Sequence, residues 1–563
     1  MSGSQGSVRR YLPFIFITAI ALSKGAQAAP DLSPADRDTL QQQQRDLLEQ
    51  NRQQRQELQR TLTPELPSPR ETAAPSAGPC FTINAIRLEG ADHLPVSAQR
   101  QLTQPYLRQC LTLGQIQTLV QKISDWYITH GYITSRAFLT EQNLSQGELR
   151  LLVLEGRLER IQLEQRDDRM LKMAFPGLPG QLLNLRDIEQ GMEQINRLRR
   201  QPVQIEILPG SRPGYSVVNL SAKPAFPLTL GLGFDNSGQK RTGTGQVNGS
   251  LTGNNLLGLA DQWFVAGARS SDFANDHNAR SVQAGVSLPY GYWTLDYNYA
   301  YSDYLATLEN RGFDWRSSGD SQTHRLGLSR VLYRDGQMKT GLSLGLTHRI
   351  NRNDLNDTRL TSSSRKLTSL TLGVSHGQKL GGGFATFNPA YSRGVPWLGA
   401  ENDSGKIKEA PRAEFHKVSL SGSYYLPLAQ DWTYLTSLYG QWTPGRLYGS
   451  ERLTLGGESS VRGFKEQYLS GDKGAYWRNE VNRTLVTLPV LGSITALAAL
   501  DGGWLHRDRQ DINASGTLWG AAVGLGSRNR YVGSQLTVGW PLAYPDALKP
   551  DRVSVYYRIN LVL

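Results

Sequence analysis

The sequence predicts a transmembrane β-barrel of about 16 antiparallel strands, preceded by two small α+β domains and an N-terminal polar helix. Three observations lead there. Apolar and polar residues alternate through most of the stretch from Phe226 to Leu563. The chain opens with an export signal. Mean hydropathy is -0.43, and charges break every later apolar run, so no later stretch could cross a membrane as a helix. Barrel strands escape that test, because their two faces average out as hydrophilic.

The export signal has three parts. Arg9 and Arg10 give a positive start, Tyr11 to Leu22 is mostly apolar, and Ala26-Gln27-Ala28 is a small-x-small cleavage site. The apolar run is short beside the roughly 20 residues of a bilayer-spanning helix. Residues 1–28 are therefore read as a signal peptide rather than an anchor.

Residues 29–61 carry a helix. Ser33 can cap it with Pro34 at its first position, and the run to Arg60 is rich in Gln, Arg and Leu. Its few apolar residues, Leu40, Leu47, Leu48 and Leu58, leave it polar nearly all round. Such a helix is either solvated, alone or in a short coiled coil, or rests in a wet polar cavity. Residues 62–79 follow as a linker, with Pro64, Pro67, Pro69, Pro75 and Pro79 keeping it extended.

Two units with similar patterns come next, at 80–156 and 157–224. The first reads as a strand from Phe81 to Leu88, helices Ser97 to Leu107 and Leu113 to His130, and strands Tyr132 to Leu139 and Glu148 to Leu154. Leu119, Ile123, Trp126 and Tyr127 fall at helical spacing, and Gly131 ends that helix. The second reads as strand Leu158 to Leu163, helix Leu185 to Arg199, and strands Val203 to Leu208 and Tyr215 to Ser221. A single larger α+β domain also fits the length. The chain has 2 cysteines, Cys80 and Cys110. Export to an oxidising compartment favours a disulfide between them over two buried thiols.

In residues 225–563, Trp293, Leu295, Tyr297, Tyr299 and Tyr301 alternate with polar or small residues. Leu342, Leu344 and Leu346 do the same, as do Val553, Val555, Tyr557, Ile559, Leu561 and Leu563. A soluble sandwich would bury the apolar face; a membrane barrel turns it to lipid. Runs of about 9 to 12 residues suit tilted membrane strands. Trp432, Tyr434, Tyr439 and Trp442 suit an interfacial girdle. Roughly 340 residues at about 21 per strand and turn give the even strand number.

No motif for catalysis, metal or cofactor is present. The 8 histidines are scattered, and no zinc cluster, nucleophile elbow or phosphate loop occurs. A net charge of +12 is spread along the chain, without a nucleic-acid module. Leu453 to Phe464 interrupts the alternation with glycines around Arg462. Asp501 sits in an apolar strand run, where it must face the lumen or meet a heavy desolvation cost. Arg462, on a loop folded inward, could supply its cation. The two could equally be unrelated, one on a surface loop and one wet in the lumen.

Val461-Arg462-Gly463-Phe464 resembles the loop motif of outer-membrane barrels that assemble or export proteins. Leu500-Asp501-Gly502-Gly503 resembles their strand motif, of which Asp501 and Gly503 are the defining residues. The two α+β units resemble POTRA domains. With the preceding helix, the proline linker, Pro79-Cys80-Phe81 and Val153-Leu154-Glu155-Gly156-Arg157, the whole resembles two-partner secretion transporters of the haemolysin/haemagglutinin activator type, the ShlB/FhaC/HecB/CdiB-like family.

The resemblance implies a Gram-negative outer-membrane pore with periplasmic N-terminal domains, monomeric and without cofactor. It would be inserted by the barrel assembly machinery and pass one large secreted exoprotein of haemolysin, adhesin or contact-dependent toxin type. It also implies that the helix plugs the lumen and that Arg462 and Asp501 form a lock. An assembly factor for other barrels shares both motifs and is the competing reading. A passive porin would leave the two α+β units unexplained.

Overall fold

A computed structural model describes residues 32–60, 78–164, 168–224, 226–310, 312–508 and 515–563. The signal peptide and nearly all of the linker, residues 61–77, lie outside them.

The first α+β unit is built on the helix Leu113–Thr129. Thr112 and Gln115 form a capping box at its start. Ile116, Leu119, Ile123 and Tyr127 sit on one face of the helix and are fully buried against Leu149 and Leu151 of the sheet. The strand Glu148–Leu154 is central, parallel to Ala85–Glu89 and antiparallel to Arg136–Leu139. That last strand starts later than the alternation predicts. Gly131 takes φ +92°, and Tyr132 N–H bonds back to Tyr127 O, so 132–135 turn before extending. Cys80–Ile83 pairs with Gln109–Thr112, a strand not foreseen from the sequence, and the Cys80–Cys110 disulfide staples this ribbon.

In the second unit, Tyr215–Ser221 is central, with Arg157–Leu163 parallel on one side. Gln204–Pro209 is antiparallel on the other side and forms an edge. The helix Leu185–Asn196 is capped by Asn184 and buries Ile188 and Ile195 against this sheet. An additional short helix, Arg169–Ala174, begins at an Asp168 cap and was not visible as a periodic pattern.

Sixteen long strands, from Leu228–Asp235 to Ser554–Val562, form one closed antiparallel sheet among the described residues. The seam pairs Leu232 with Leu561 and Asp235 with Arg558. Its polarity is inverted relative to a soluble sandwich. Leu232, Val265, Leu344, Leu525 and Ile559 point outward and are exposed, while Ser321, Asn351, Thr386 and Ser437 point inward and are buried. An apolar belt this continuous belongs against lipid.

Two expectations need correction. Strands reach 22 residues, as in Phe313–Arg334, rather than about 12, because the hairpins continue past the apolar belt with polar residues on both faces. Tyr439 is not a girdle residue. It points inward, against Tyr476 at 5.6 Å, whereas Trp432 and Trp442 of the same strand are exposed.

Turns are short at one barrel end, as at Gly291-Tyr292 and Gly381-Gly382, and long at the other, as at 395–415 and 443–473. The second α+β unit docks at the short-turn end. Gly291 N–H bonds Met173 O at 2.8 Å, and Arg197 donates to Ser287 Oγ at 2.8 Å and Ala260 O at 2.7 Å.

Removing the staple with Cys110→Ser should destabilise the first unit by about 3 to 4 kcal/mol, the loop-closure contribution of a bridge of this span. In urea, protease should then cut between residues 80 and 156 at lower denaturant concentration. The barrel should keep its heat-modifiable electrophoretic mobility.

Candidate functional site

The connection 443–473 does not extend outward as its length would allow. It folds into the barrel as a hairpin, Leu453–Leu455 against Leu469–Gly471, with 456–468 as its tip. Leu453, Leu455, Val461, Phe464 and Leu469 form an apolar cluster with Tyr476, Leu505 and Leu518 of the wall. This burial pulls the hairpin inward, at about 25 cal/mol per Å² of apolar surface removed from water.

At the tip, Arg462 meets the wall. Its Nε and Nη2 donate to the two oxygens of Asp501, both at 2.6 Å, and its backbone N–H reaches Asp501 Oδ2 at 3.1 Å. Asp501 is 0% exposed. A carboxylate so enclosed is tolerable only with its charge and lone pairs satisfied, which the bidentate fork achieves. Arg462 Nη1 also donates to Glu480 at 2.8 Å, and Arg478 donates to the same oxygen at 2.9 Å. Glu480 was missed from sequence. The signal was Arg478 and Glu480 two apart on one strand, hence on one face.

The other motif residues fit the tip to the wall. Val461 and Phe464 are buried, and the Phe464 ring stands edge-on to Tyr544 at 6.1 Å. Gly463 takes φ +97°, and a Cβ there would lie 2.6 Å from Trp540 O. On the wall, a Cβ at Gly520 would lie 1.8 Å from Arg462 O, so only glycine lets the loop backbone approach this closely. Gly503 backs onto Leu455. Lower on the loop, Glu451 is held by Arg349 at 3.1 Å and Lys417 at 2.6 Å.

The helix Pro34–Arg60 lies in the lumen. At 27 residues it is about 40 Å long, enough to traverse the barrel. Near the long-loop end, Arg37 donates to Lys465 O at 2.7 Å and Asn351 donates to Asp36 at 2.6 Å. Midway, Gln44 donates to Thr454 O at 2.8 Å, and Asn388 donates to Asn51 at 2.8 Å. Arg55 stacks on the Tyr425 ring at 4.4 Å. Leu40 and Leu58 are the buried apolar anchors. The attachment thus combines hydrogen bonds, each worth about 1 kcal/mol net and exchangeable for water in a polar bore, with ion pairs such as Arg37 to Glu466 at 3.7 Å.

At the short-turn end three parts share one cation. Lys339 of the wall donates to Glu57 of the lumenal helix at 2.8 Å and also to Glu193 of the second α+β unit. Beside it, Arg334 donates to Gln190 at 2.7 Å and Glu193 at 3.2 Å. Among the described residues, no group of acidic, His or Cys side chains could hold a metal ion.

Comparison with known proteins adds to this geometry. Residues 214–527 match the haemolysin secretion/activation protein family ShlB/FhaC/HecB. Residues 81–156 match the ShlB-type POTRA domain, and residues 157–209 match a POTRA domain. The chain is 54% identical to the outer membrane transporter CdiB of Escherichia coli, over 97% of this chain and 93% of that relative. It is 55% identical to the outer membrane transporter CdiB of Dickeya dadantii, over 94% and 95% respectively. The solved structure of CdiB from Escherichia coli superposes with a TM-score of 0.90 at 54% identity, covering 95% of this chain and 100% of that one.

Asp501→Ala should leave Arg462 held by Glu480 alone, at a cost of about 3 to 5 kcal/mol for a broken buried pair. A cysteine at Ser459, now 8% exposed, reports the result. It should label slowly with a membrane-impermeant thiol reagent in the parent and quickly in the Asp501→Ala background. Equal rates would mean that the ion pair does not hold the tip.

Proposed function

The chain belongs to the haemolysin secretion/activation family ShlB/FhaC/HecB, and from that premise we propose that it carries a large secreted exoprotein through the outer membrane to the cell surface. The observation that carries this reading is a polar bore, wide enough to hold a whole helix, beneath domains of receptor type. Residues 1–28 direct export, 29–61 form the plug, and 62–79 tether it. Residues 80–156 and 157–224 are the periplasmic receptor domains, and 225–563 is the pore. The outer membrane is where the apolar belt is satisfied and where its relatives are named to act.

The partner arrives unfolded in the periplasm. The edge strand Gln204–Pro209 offers unpaired backbone groups for strand addition. Phe138, Leu152 and Leu154, exposed on the sheet of the first receptor domain, offer apolar contact. The plug then leaves. Its exit exchanges protein hydrogen bonds for water hydrogen bonds and so carries a modest cost. The Arg462–Asp501 pair acts as the lock on the inward loop, with Glu480 as a third member. The protein works as a conduit and not as an enzyme, and folding of the partner outside supplies the drive. An assembly factor for other barrels is the less favoured reading, since the relatives matching almost the whole chain are named as transporters.

Two experiments test this. The chain is co-expressed with the exoprotein encoded beside its gene, and the medium is assayed for that product. Arg462→Ala should abolish or sharply lower secretion while the barrel still inserts; normal secretion would refute the lock. Deleting residues 32–60 should raise single-channel conductance in planar bilayers, because the bore is then open. Unchanged conductance would remove the plug assignment.

A further inference from the structure

The lumenal wall is not uniform, and the difference follows the position of the helix. The helix bonds to Asn388, Thr386 and Thr454, so it lies toward the strand Gly383–Gly394 and the inward loop. On its other side two cavities of about 890 and 810 Å³ remain. Both are lined by Gln50, Gln53, Phe264 and Asn298, so they meet there and form one crevice along the helix. On the helix side of it, Gln42 bonds to Asp46 and Gln53 to Glu49 within the helix, while Asp46 also pairs with Arg325 of the far wall at 3.9 Å.

The far wall of this crevice is made by the first six barrel strands, Leu228–Asp235 through Phe313–Arg334. Strand register places Ser250, Ala266, Gln283, Ala300 and Thr323 in one inward row across neighbouring strands. The adjacent row runs from Asn248 through Ala268, Ser281 and Ser302 to Ser321. Every member of both rows is uncharged, and most are small; charges that line the same crevice, such as Asp235, Asp296, Arg325 and Arg349, flank the two rows rather than interrupt them. Their outward neighbours Val265, Val282 and Leu326 carry the apolar belt. The opposite wall is different. Its inward charges Lys417, Arg478, Glu480 and Asp501 are engaged with the inward loop or with one another.

This division has a physical consequence for a chain in transit. A charged wall would hold oppositely charged segments, and an apolar wall would hold apolar ones. Small neutral polar side chains bind every segment weakly, because each hydrogen bond they offer is exchangeable with water. Passage requires sites weak enough to leave at each step. Small side chains also leave width, and an extended chain is narrower than the 10–12 Å of a helix with its side chains.

Resting on the transport reading above, we propose that the exported polypeptide slides in extended form along these two neutral rows, Ser250–Thr323 and Asn248–Ser321, as its track. The opposite wall serves to hold the loop and the plug.

The test uses the full-length transporter with single added cysteines at Ala266, Ala300 or Ser437. Ser437 faces inward on the opposite wall and is buried. The probe is an epitope-tagged exoprotein, encoded beside the transporter gene, that carries cysteines along its length and is stalled in transit by a disulfide-locked passenger domain. Disulfide trapping should join it to Ala266→Cys and Ala300→Cys but not to Ser437→Cys. Ala300→Trp, narrowing the track, should abolish secretion while heat-modifiable mobility shows a folded barrel. Trapping at Ser437→Cys equal to or above that at Ala300→Cys would overturn the proposal, as would full secretion by Ala300→Trp. If the unmodified transporter releases no exoprotein, the transport reading itself falls.

Discussion

Closure of the sheet imposes the constraint that the rest of the structure satisfies. Once Ser554–Val562 bonds back to Leu228–Asp235, every strand has two partners and no edge remains. In lipid that is the only way a sheet can satisfy its backbone. Side chains alternating along each strand must then face either hydrocarbon or the interior. The chain puts Leu, Val and aromatic residues outside and Ser, Thr, Asn and charged residues inside. The interior is consequently polar and cannot collapse as an apolar core does. It has to be filled by something equally polar.

Two elements fill it, and they are held differently. The loop 443–473 is fastened by an apolar cluster and by the enclosed Arg462–Asp501–Glu480 group. Opening that group would strand charges in a low-dielectric site, which makes the loop the firmer of the two. The helix Pro34–Arg60 is held by dispersed hydrogen bonds and ion pairs along its length. Lys339 couples this helix to the receptor side, since one ammonium serves both Glu57 and Glu193.

Much of this was legible in the sequence because period-two alternation is a local property. Leu342, Leu344 and Leu346 declare one face of a strand whatever surrounds them. Arg462 and Asp501 stand out because charge in a glycine-rich interruption, or within an apolar run, needs a reason. Tyr439 misled because an aromatic at a strand end fits a girdle equally well from either face. Glu480 escaped notice because a single carboxylate among the lumenal charges is unremarkable until a partner is placed beside it. Gly520 looked like one more barrel glycine until the Arg462 carbonyl was found where its side chain would be.

The sequence by itself determined the order of parts, the inverted polarity of the barrel and the polar character of its N-terminal helix. These follow from periodicity and composition, which neighbouring residues express without help from distant ones. Tertiary structure decided whether that helix would be solvated or enclosed, which carboxylates share Arg462, and which half of the lumen stays open. Those outcomes depend on pairing residues tens or hundreds of positions apart, Arg462 with Asp501 and Asn51 with Asn388. Only the closure and register of the sheet bring such residues within hydrogen-bonding distance.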